Sequence, residues 1–526
     1  MKNELPKSGR QNACGGYNQF PPTVKQALIL ASIGVMSLPL FSQSMSANAT
    51  DVTVNLSSQK QVIDGFGASS AWVNLNDPEV NTLYGDLGYS ILRLRIEEGI
   101  EDGWKTGDFS SWAAELANAK KAYAKGAKVF ASPWNPPTSL RLNGGGGEYS
   151  TDPSQWAGYR DYLNAYVKYM KDNGVDLYAI SIQNEPDYAG SWTYWSPTQV
   201  HDFVLNYGAT INTKLISAES FAFNKSYYDQ ILNDPKALAN VAIMGTHLYG
   251  SFAGNDVKNL AYPLFESKGR PAGTHLWMTE HYFDTDDISD LVKMMQELHD
   301  CMVTGNMNGY VYWWINWTQN GLYTSGGGSI YKRAYILGQF AKYIRPGYFR
   351  VDATETPTTN VSVSAYAGTD TVVIVAINTG TNAVSQKFTL QNASVSQLSS
   401  WNSGANANMA AGAAATVAGG SFTASLPAQS ITTFVGKNTS SAIAPSKSIS
   451  TIAASFKASV SNGHIVVTPS DNDKTFNVSV FTEDGRQTLV KKGNRGALEI
   501  PVATKGMYLV NIESNGYVQR ATVPVF

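Results

Sequence analysis

Two glutamates close apolar runs in this chain, and each stands where a carboxylate could do work. Glu185 follows the run Val175–Ile182 within Gln183-Asn184-Glu185-Pro186, and Glu280 ends His275-Leu-Trp-Met-Thr-Glu. Pro186 has no N–H for a ladder and disfavours the helical region at Glu185, so the strand must stop there. A carboxyl group kept protonated and a second kept ionised can together break an acetal. The first protonates the leaving oxygen, and the second approaches the anomeric carbon from the other face. At a separation of roughly 5–5.5 Å the second group can act as nucleophile. Glu185 is therefore the candidate acid/base and Glu280 the candidate nucleophile. Asn184 is placed to hydrogen-bond a sugar 2-hydroxyl. Either glutamate alone reads equally well as a strand-end carboxylate in a salt bridge; the pair beside Asn184 reads as chemistry.

Such a pair needs a scaffold that brings distant strand ends to one mouth. Eight apolar strand candidates run through the chain: Gly65–Ser70, Ile91–Glu97, Lys128–Pro133, Leu177–Gln183, Lys214–Glu219, Val241–Leu248, Leu276–Glu280 and Gly309–Ile315. Helical patterns separate them, among them Trp112–Lys125, Pro153–Asn173, Pro197–Ile211 and Ile288–Thr304. This alternation predicts a (β/α)8 barrel over residues 62–345, with Glu185 and Glu280 at the carboxyl ends of the fourth and seventh strands. A doubly wound open sheet is the alternative. It fits less well, because polar residues recur at strand ends throughout rather than at one crevice.

The flanks differ in texture. Residues 346–437 read as a β-sandwich side domain with an Ala/Gly-rich loop between Ala405 and Gly420, and the N-terminal strand segment 50–61 is positioned to join its sheet. A Ser-rich linker is expected over 438–450, then a small all-β unit over 451–526 with a hairpin turn at Asp484-Gly485. At the N-terminus, Lys2, Lys7, Arg10 and Lys25 precede the apolar run Ala27–Phe41, and Ala47-Asn-Ala49 offers small residues for cleavage. This predicts a secretory signal over 1–49 and an extracellular protein. A membrane anchor is the competing reading, disfavoured by a short run broken at Pro39. Cleavage would remove Cys14 and leave Cys301 alone, so no internal disulfide is expected.

The chain has 526 residues, a formal net charge of −2 and 15% charged residues. That balance gives no reason to expect nucleic acid or an anionic membrane as partner. No group of His, Cys and carboxylates has metal-ligand spacing in sequence, so neither a catalytic metal nor a cofactor is expected.

Long motifs then carry a resemblance: DGFGASSAW at 64–72, ILRLRI at 91–96, SPWNPP at 132–137, SIQNEPDY at 181–188, GTHLYG at 245–250, WMTEHY at 277–282 and IRPGYFRVDAT at 344–354. In order and spacing the chain from about Gln61 to Val435 resembles glycoside hydrolase family 30, xylanase branch. The resemblance implies a retaining endo-β-1,4-xylanase acting on xylan. It implies Arg93 beside the nucleophile, Tyr249 hydrogen-bonding it, and Trp72, Trp134 and Trp313 as aromatic walls of the subsites. His247 is expected to be a hydrogen-bonding neighbour rather than a base. Members that require glucuronate branches have an arginine after the eighth strand and a Tyr-Tyr pair after the nucleophile. Here those positions read Asn316-Trp317 and Tyr282-Phe283, and Asp286 stands where a serine is expected. A lost cation, a lost hydroxyl and a gained carboxylate predict no glucuronate requirement. Other readings are a family member acting on a different linkage, and a silent carbohydrate-binding protein. The C-terminal Gly506-Met-Tyr-Leu-Val-Asn-Ile512 is similar to sorting domains of the type-nine secretion class, which implies secretion machinery as a partner; a small carbohydrate-binding module is the alternative.

Overall fold

In the computed structural model the described residues are 50–98, 102–143, 149–188, 190, 192–250, 260–440, 456–461, 463–469, 475–482, 487–502, 506–514 and 517–525. The expected signal over 1–49, most of the expected linker and the turn at Asp484-Gly485 lie outside them.

Eight parallel strands close into a barrel: Gly65–Ser69, Ile91–Ile96, Lys128–Pro133, Ala179–Ser181, Lys214–Ile216, Ile243–His247, His275–Glu280 and Gly309–Tyr312, the last pairing back on the first. These fall in the eight stretches expected from the sequence, most of them trimmed at the ends, with Lys128–Pro133 unchanged and the seventh beginning one residue earlier at His275. Buried on both faces, they read as apolar runs rather than as an alternating pattern. The interior is packed, with Ile91, Phe130, Ala179, Ile216, Ile243, Trp277 and Val311 in one cluster. At the amino-terminal end of the barrel Asp64 accepts from the Trp277 indole (2.7 Å), pairs with Lys128 (3.3 Å) and bonds His275. Burial opposes its ionisation, but these partners win and hold Asp64 below the usual carboxylate range.

Helices cover the outside. Ser196 starts Pro197–Tyr207 with a reciprocal capping box to Gln199 and a proline in the first turn. Trp156–Asp172 turns Trp156, Tyr159, Tyr162, Leu163, Tyr166 and Met170 inward at helical spacing. Among the described residues no helix is long and apolar enough to cross a membrane.

Beyond Arg345 a ten-stranded sheet packs on the barrel's helices. Its strand Thr371–Asn378 is buried on both faces and divides by parity. Val372, Ile374 and Ala376 point into a core private to this sheet, whereas Val373, Val375 and Ile377 join the barrel's own core. The N-terminal strand Val52–Val62 lies within the sheet, antiparallel to Phe349–Ala353 and parallel to Val384–Gln391. One expectation fails here. Residues 405–420, expected to form a loop, contain the strands Ala407–Ala411 and Ala415–Thr416, both paired to Gln397–Gly404. Ala and Gly have low strand preference, and the open edge of Gln397–Gly404 supplies the ladder that overrides it. The described residues between 456 and 525 form an all-β unit of three- and four-stranded sheets, with its own core of Phe456, Phe476, Val478, Val510 and other apolar side chains.

Strands one and two approach so closely that a Cβ on Gly67 would collide with the Ile91 carbonyl. Gly67→Ala is expected to lower stability by about 1–3 kcal/mol, read as a lower denaturant midpoint. Gly85→Ala, where nothing lies within 4 Å of the added carbon, is expected to leave the midpoint unchanged or raise it.

Candidate active site

At the carboxyl end of the barrel five of the strands bring functional side chains to a common centre. Strand two carries Arg93, strand four leads into Asn184 and Glu185, strand five into Glu219, strand six ends on His247, and strand seven on Glu280. Glu185 has φ +45°. A non-glycine residue there costs on the order of 1–3 kcal/mol and is tolerated where surrounding structure fixes it. The fixing bonds are its N–H to the Glu219 carbonyl (2.8 Å) and its own carbonyl accepting from Tyr188 (3.0 Å).

The two candidate carboxylates meet. One oxygen of Glu185, one of Glu280 and a ring nitrogen of His247 all lie within 4.8 Å of one another. Both glutamates are 5% exposed, enough to be reached from the cleft. Arg93, fully buried, pairs with Glu280, donates to Asn184 Oδ1 (2.7 Å) and sits 3.3 Å from Glu219. Tyr249 donates to the other oxygen of Glu280 at 2.9 Å. Glu185 receives His247 Nδ1 on Oε1 and the Trp192 indole on Oε2, each at 2.9 Å. Asn184 Nδ2 is buried without a hydrogen-bond partner, a donor free for a ligand.

Electrostatics separate the two glutamates' surroundings. Burial, seconded by the charge of Glu280, raises Glu185 above the usual carboxylate range, against the opposing pull of His247 and Trp192. His247 is pushed up to about 9; burial alone would lower it, but Glu280, Glu185 and Glu219 outweigh that. Glu219 is held far below its ordinary range, because Arg93 and His247 overcome its burial. The sign for stability follows. Glu219 contributes above its ordinary pKa of 4.5 and ceases to contribute as pH falls; His247 contributes below 6.5 and ceases to contribute as pH rises through about 9. Burial raises Tyr249 well above its ordinary value, so it remains a phenol that donates to Glu280.

The grouping of Glu185, His247 and Glu280 was hidden in sequence, where no such cluster has ligand spacing. It differs from a metal centre in its counter-charge, because Arg93 pairs with Glu280 and lies 3.5 Å from His247 Nε2.

The aromatic expectations divide. Trp72, at φ +60° and 41% exposed, forms an open wall, with ring centres 5.2, 5.8 and 6.3 Å from Trp134, Trp313 and Trp192. Trp134 is only 3% exposed, with the Arg93 guanidinium 4.7 Å from its ring centre; it backs the site rather than walling it. Trp313 is half-buried and stacks on Trp314. Half-buried Tyr282 lies 5.5 Å from Tyr249, ring centre to ring centre.

Two residues escaped the sequence reading. Trp192 sits in the loop after Glu185, and nothing in its spacing betrays an indole aimed at that carboxylate. Glu219 did carry a signal, a third carboxylate at a strand end, but its partners are set only by folding. The divergent positions are also explained. Asn316 turns inward and donates to Glu79 (2.8 Å), and Phe283 is buried. Asp286 accepts from the backbone N–H groups of Lys332 (2.8 Å) and Arg333 (3.1 Å) at the start of helix Lys332–Ala341. Its charge is spent on that helix end rather than projected freely into the cleft, which weakens the repulsion expected from the sequence.

No family model matches the chain. A curated relative, glucuronoxylanase XynC of Bacillus subtilis strain 168, is 44% identical over 404 residues, covering 74% of this chain and 92% of that protein. A GH30 endoxylanase from Clostridium papyrosolvens C71 superposes with a TM-score of 0.71 at 60% identity, covering 74% of this chain and all of that one. Xyn30A of Clostridium acetobutylicum, a xylanase of glycoside hydrolase family 30 subfamily 8, gives 0.69 at 48% identity, covering 74% of this chain and 99% of that one.

Donation from the Trp192 indole favours the ionised form of Glu185. Trp192→Phe is therefore expected to move the titration of this carboxyl to higher pH, followed by carboxyl-band difference infrared spectroscopy with Glu185→Gln as the assignment control.

Proposed function

Since the chain belongs to glycoside hydrolase family 30 and is an endoxylanase, we propose that it cleaves xylan with retention of configuration, Glu185 serving as acid/base and Glu280 as nucleophile. The observation that carries this is the approach of the two carboxylates to within 4.8 Å. Inverting enzymes leave about 6.5–9.5 Å for a water; retaining ones close to about 5–5.5 Å.

In the first step Glu185 gives its proton to the departing glycosidic oxygen while a Glu280 oxygen bonds to the anomeric carbon. In the second, Glu185, now ionised, takes a proton from water as that water displaces Glu280 and regenerates the carboxylate. A raised Glu185 suits the first role, since the acid must hold its proton at working pH. Arg93 pairs with Glu280 and holds Asn184 so that its free Nδ2 can meet the 2-hydroxyl. Trp72 offers its exposed face to a sugar ring, and Tyr282 and Trp313 border the same cleft.

The reading extends to side-chain selectivity. The inward turn of Asn316 and the burial of Phe283 support cleavage without a glucuronate requirement. Export by the leader over 1–49, with the unit over 451–526 engaging secretion machinery, completes the proposal. N-terminal sequencing of protein recovered from the medium would test it, and a start other than residue 50 would move the cleavage site.

Glu280→Gln is expected to abolish hydrolysis while xylooligosaccharide binding persists. Glu185→Ala is expected to lose about 10²–10⁴-fold on xylan but far less on an aryl xyloside whose leaving group needs no acid. An equal loss on both substrates would remove Glu185 from the acid role. Mass spectrometry of products is expected to show linear and glucuronate-decorated xylan cut at similar rates; strong preference for the decorated polymer would overturn the selectivity reading.

A further inference from the structure

Glu219 has no part in the two-carboxylate scheme, yet it is fully buried at the centre of the site. A carboxylate buried without compensation would cost far more than a fold can sustain, so its neighbours must hold it charged. Arg93 from strand two, His247 from strand six and Ser132 from strand three favour its charge, Tyr228 from helix Ser226–Asn233 lies close by, and Glu280 from strand seven shares Arg93 and His247 with it. The distances order them. Arg93 Nη2 is 3.3 Å from Glu219 Oε2, and His247 Nε2 is 3.7 Å from the same oxygen. Through its backbone Glu219 is joined to strand four twice, accepting from Glu185 N–H (2.8 Å) and donating to Gln183 (2.9 Å).

We propose that Glu219 is a positioning residue: it fixes the aim of Arg93 and keeps His247 protonated, so that Nδ1–H of His247 points at Glu185. The guanidinium is divided between two carboxylates, with Nη1 on Glu280 and Nη2 towards Glu219 and Asn184. Without Glu219 the Nη2 edge loses its ionic partner, and Arg93 is free to rotate out of its grip on Glu280. His247 has Nδ1 on Glu185, while Nε2 faces Arg93 Nη2 at 3.5 Å, Glu219 Oε2 at 3.7 Å and Glu280 Oε2 at 3.8 Å. Two carboxylates against one guanidinium around Nε2, with a third carboxyl on Nδ1, favour the doubly protonated ring. Charge balance agrees. With Glu185 protonated, the carboxylates of Glu219 and Glu280 match Arg93 and protonated His247 one for one. Glu219 neutralises the cations that prepare the reacting pair and itself touches no substrate.

The inference rests on Glu185 and Glu280 being that pair, but its test does not. The full-length enzyme, labelled with ¹⁵N-histidine, reports the protonation of His247, assigned by the signal lost in His247→Asn. A doubly protonated ring at pH 7.5 is expected in the wild type; a neutral ring there overturns the proposal without any variant. In Glu219→Gln the His247 midpoint is expected about one pH unit or more lower. In the same variant kcat on xylan should fall about tenfold or more, with KM changed less than about threefold. A kcat loss with His247 unmoved would make Glu219 merely structural and overturn the inference. If Glu219→Gln does not fold, Glu219→Asp, which withdraws the charge by one methylene, must still lower the midpoint; an unchanged midpoint overturns it. Activity surviving in Glu280→Gln would instead remove the reacting pair and leave the His247 result standing.

Discussion

A single buried guanidinium organises the catalytic end of this barrel. Arg93 is shut off from water, so its charge must be met inside the protein by groups of matching geometry. It is met by Glu280, Glu219 and Asn184, which come from three other strands, and its face lies over Trp134. Strand order, strand length and the closeness of the first two strands at Gly67 all serve to bring those ends together. A barrel closed one residue out of register would turn Arg93 away from the mouth and leave a cation without partners.

The same geometry gives Glu185 and Glu280 unlike surroundings. Glu280 has a cation on one oxygen and a phenol donating to the other. Glu185 is buried beside that negative charge and shares its proton environment with a histidine. Two groups of one chemical type thereby stand in unlike surroundings, which suits the opposite tasks proposed for them. Asn184 lies between them, with its oxygen on Arg93 and its buried nitrogen without a hydrogen-bond partner.

Much of this was legible before folding, for identifiable reasons. Parallel strands buried on both faces write themselves as apolar runs, and a proline after Glu185 marks where its strand must end. The contribution of Glu219 was not legible, because its meaning lies in an arginine over a hundred positions earlier in the chain. Trp192 was missed because a loop tryptophan gives no hint of where its N–H points. Asn316 and Asp286 teach the complementary lesson. The sequence marks them as departures from the pattern that the resemblance implies, but their directions, one towards Glu79 and one onto a helix start, follow from packing. At 405–420 composition argued for a loop, and a neighbouring strand's open edge decided otherwise.

The strand Val52–Val62 has a consequence for how the molecule is made. It emerges from the ribosome ahead of every barrel element, yet both of its sheet neighbours, Phe349–Ala353 and Val384–Gln391, are translated some three hundred residues later. Until then its N–H and C=O edges have no ladder, and only loop closure across the finished barrel can supply one. The growing chain therefore carries an unsatisfied sticky end through most of its synthesis. A gene cut after the barrel would keep every reacting group and still release a protein with that edge bare.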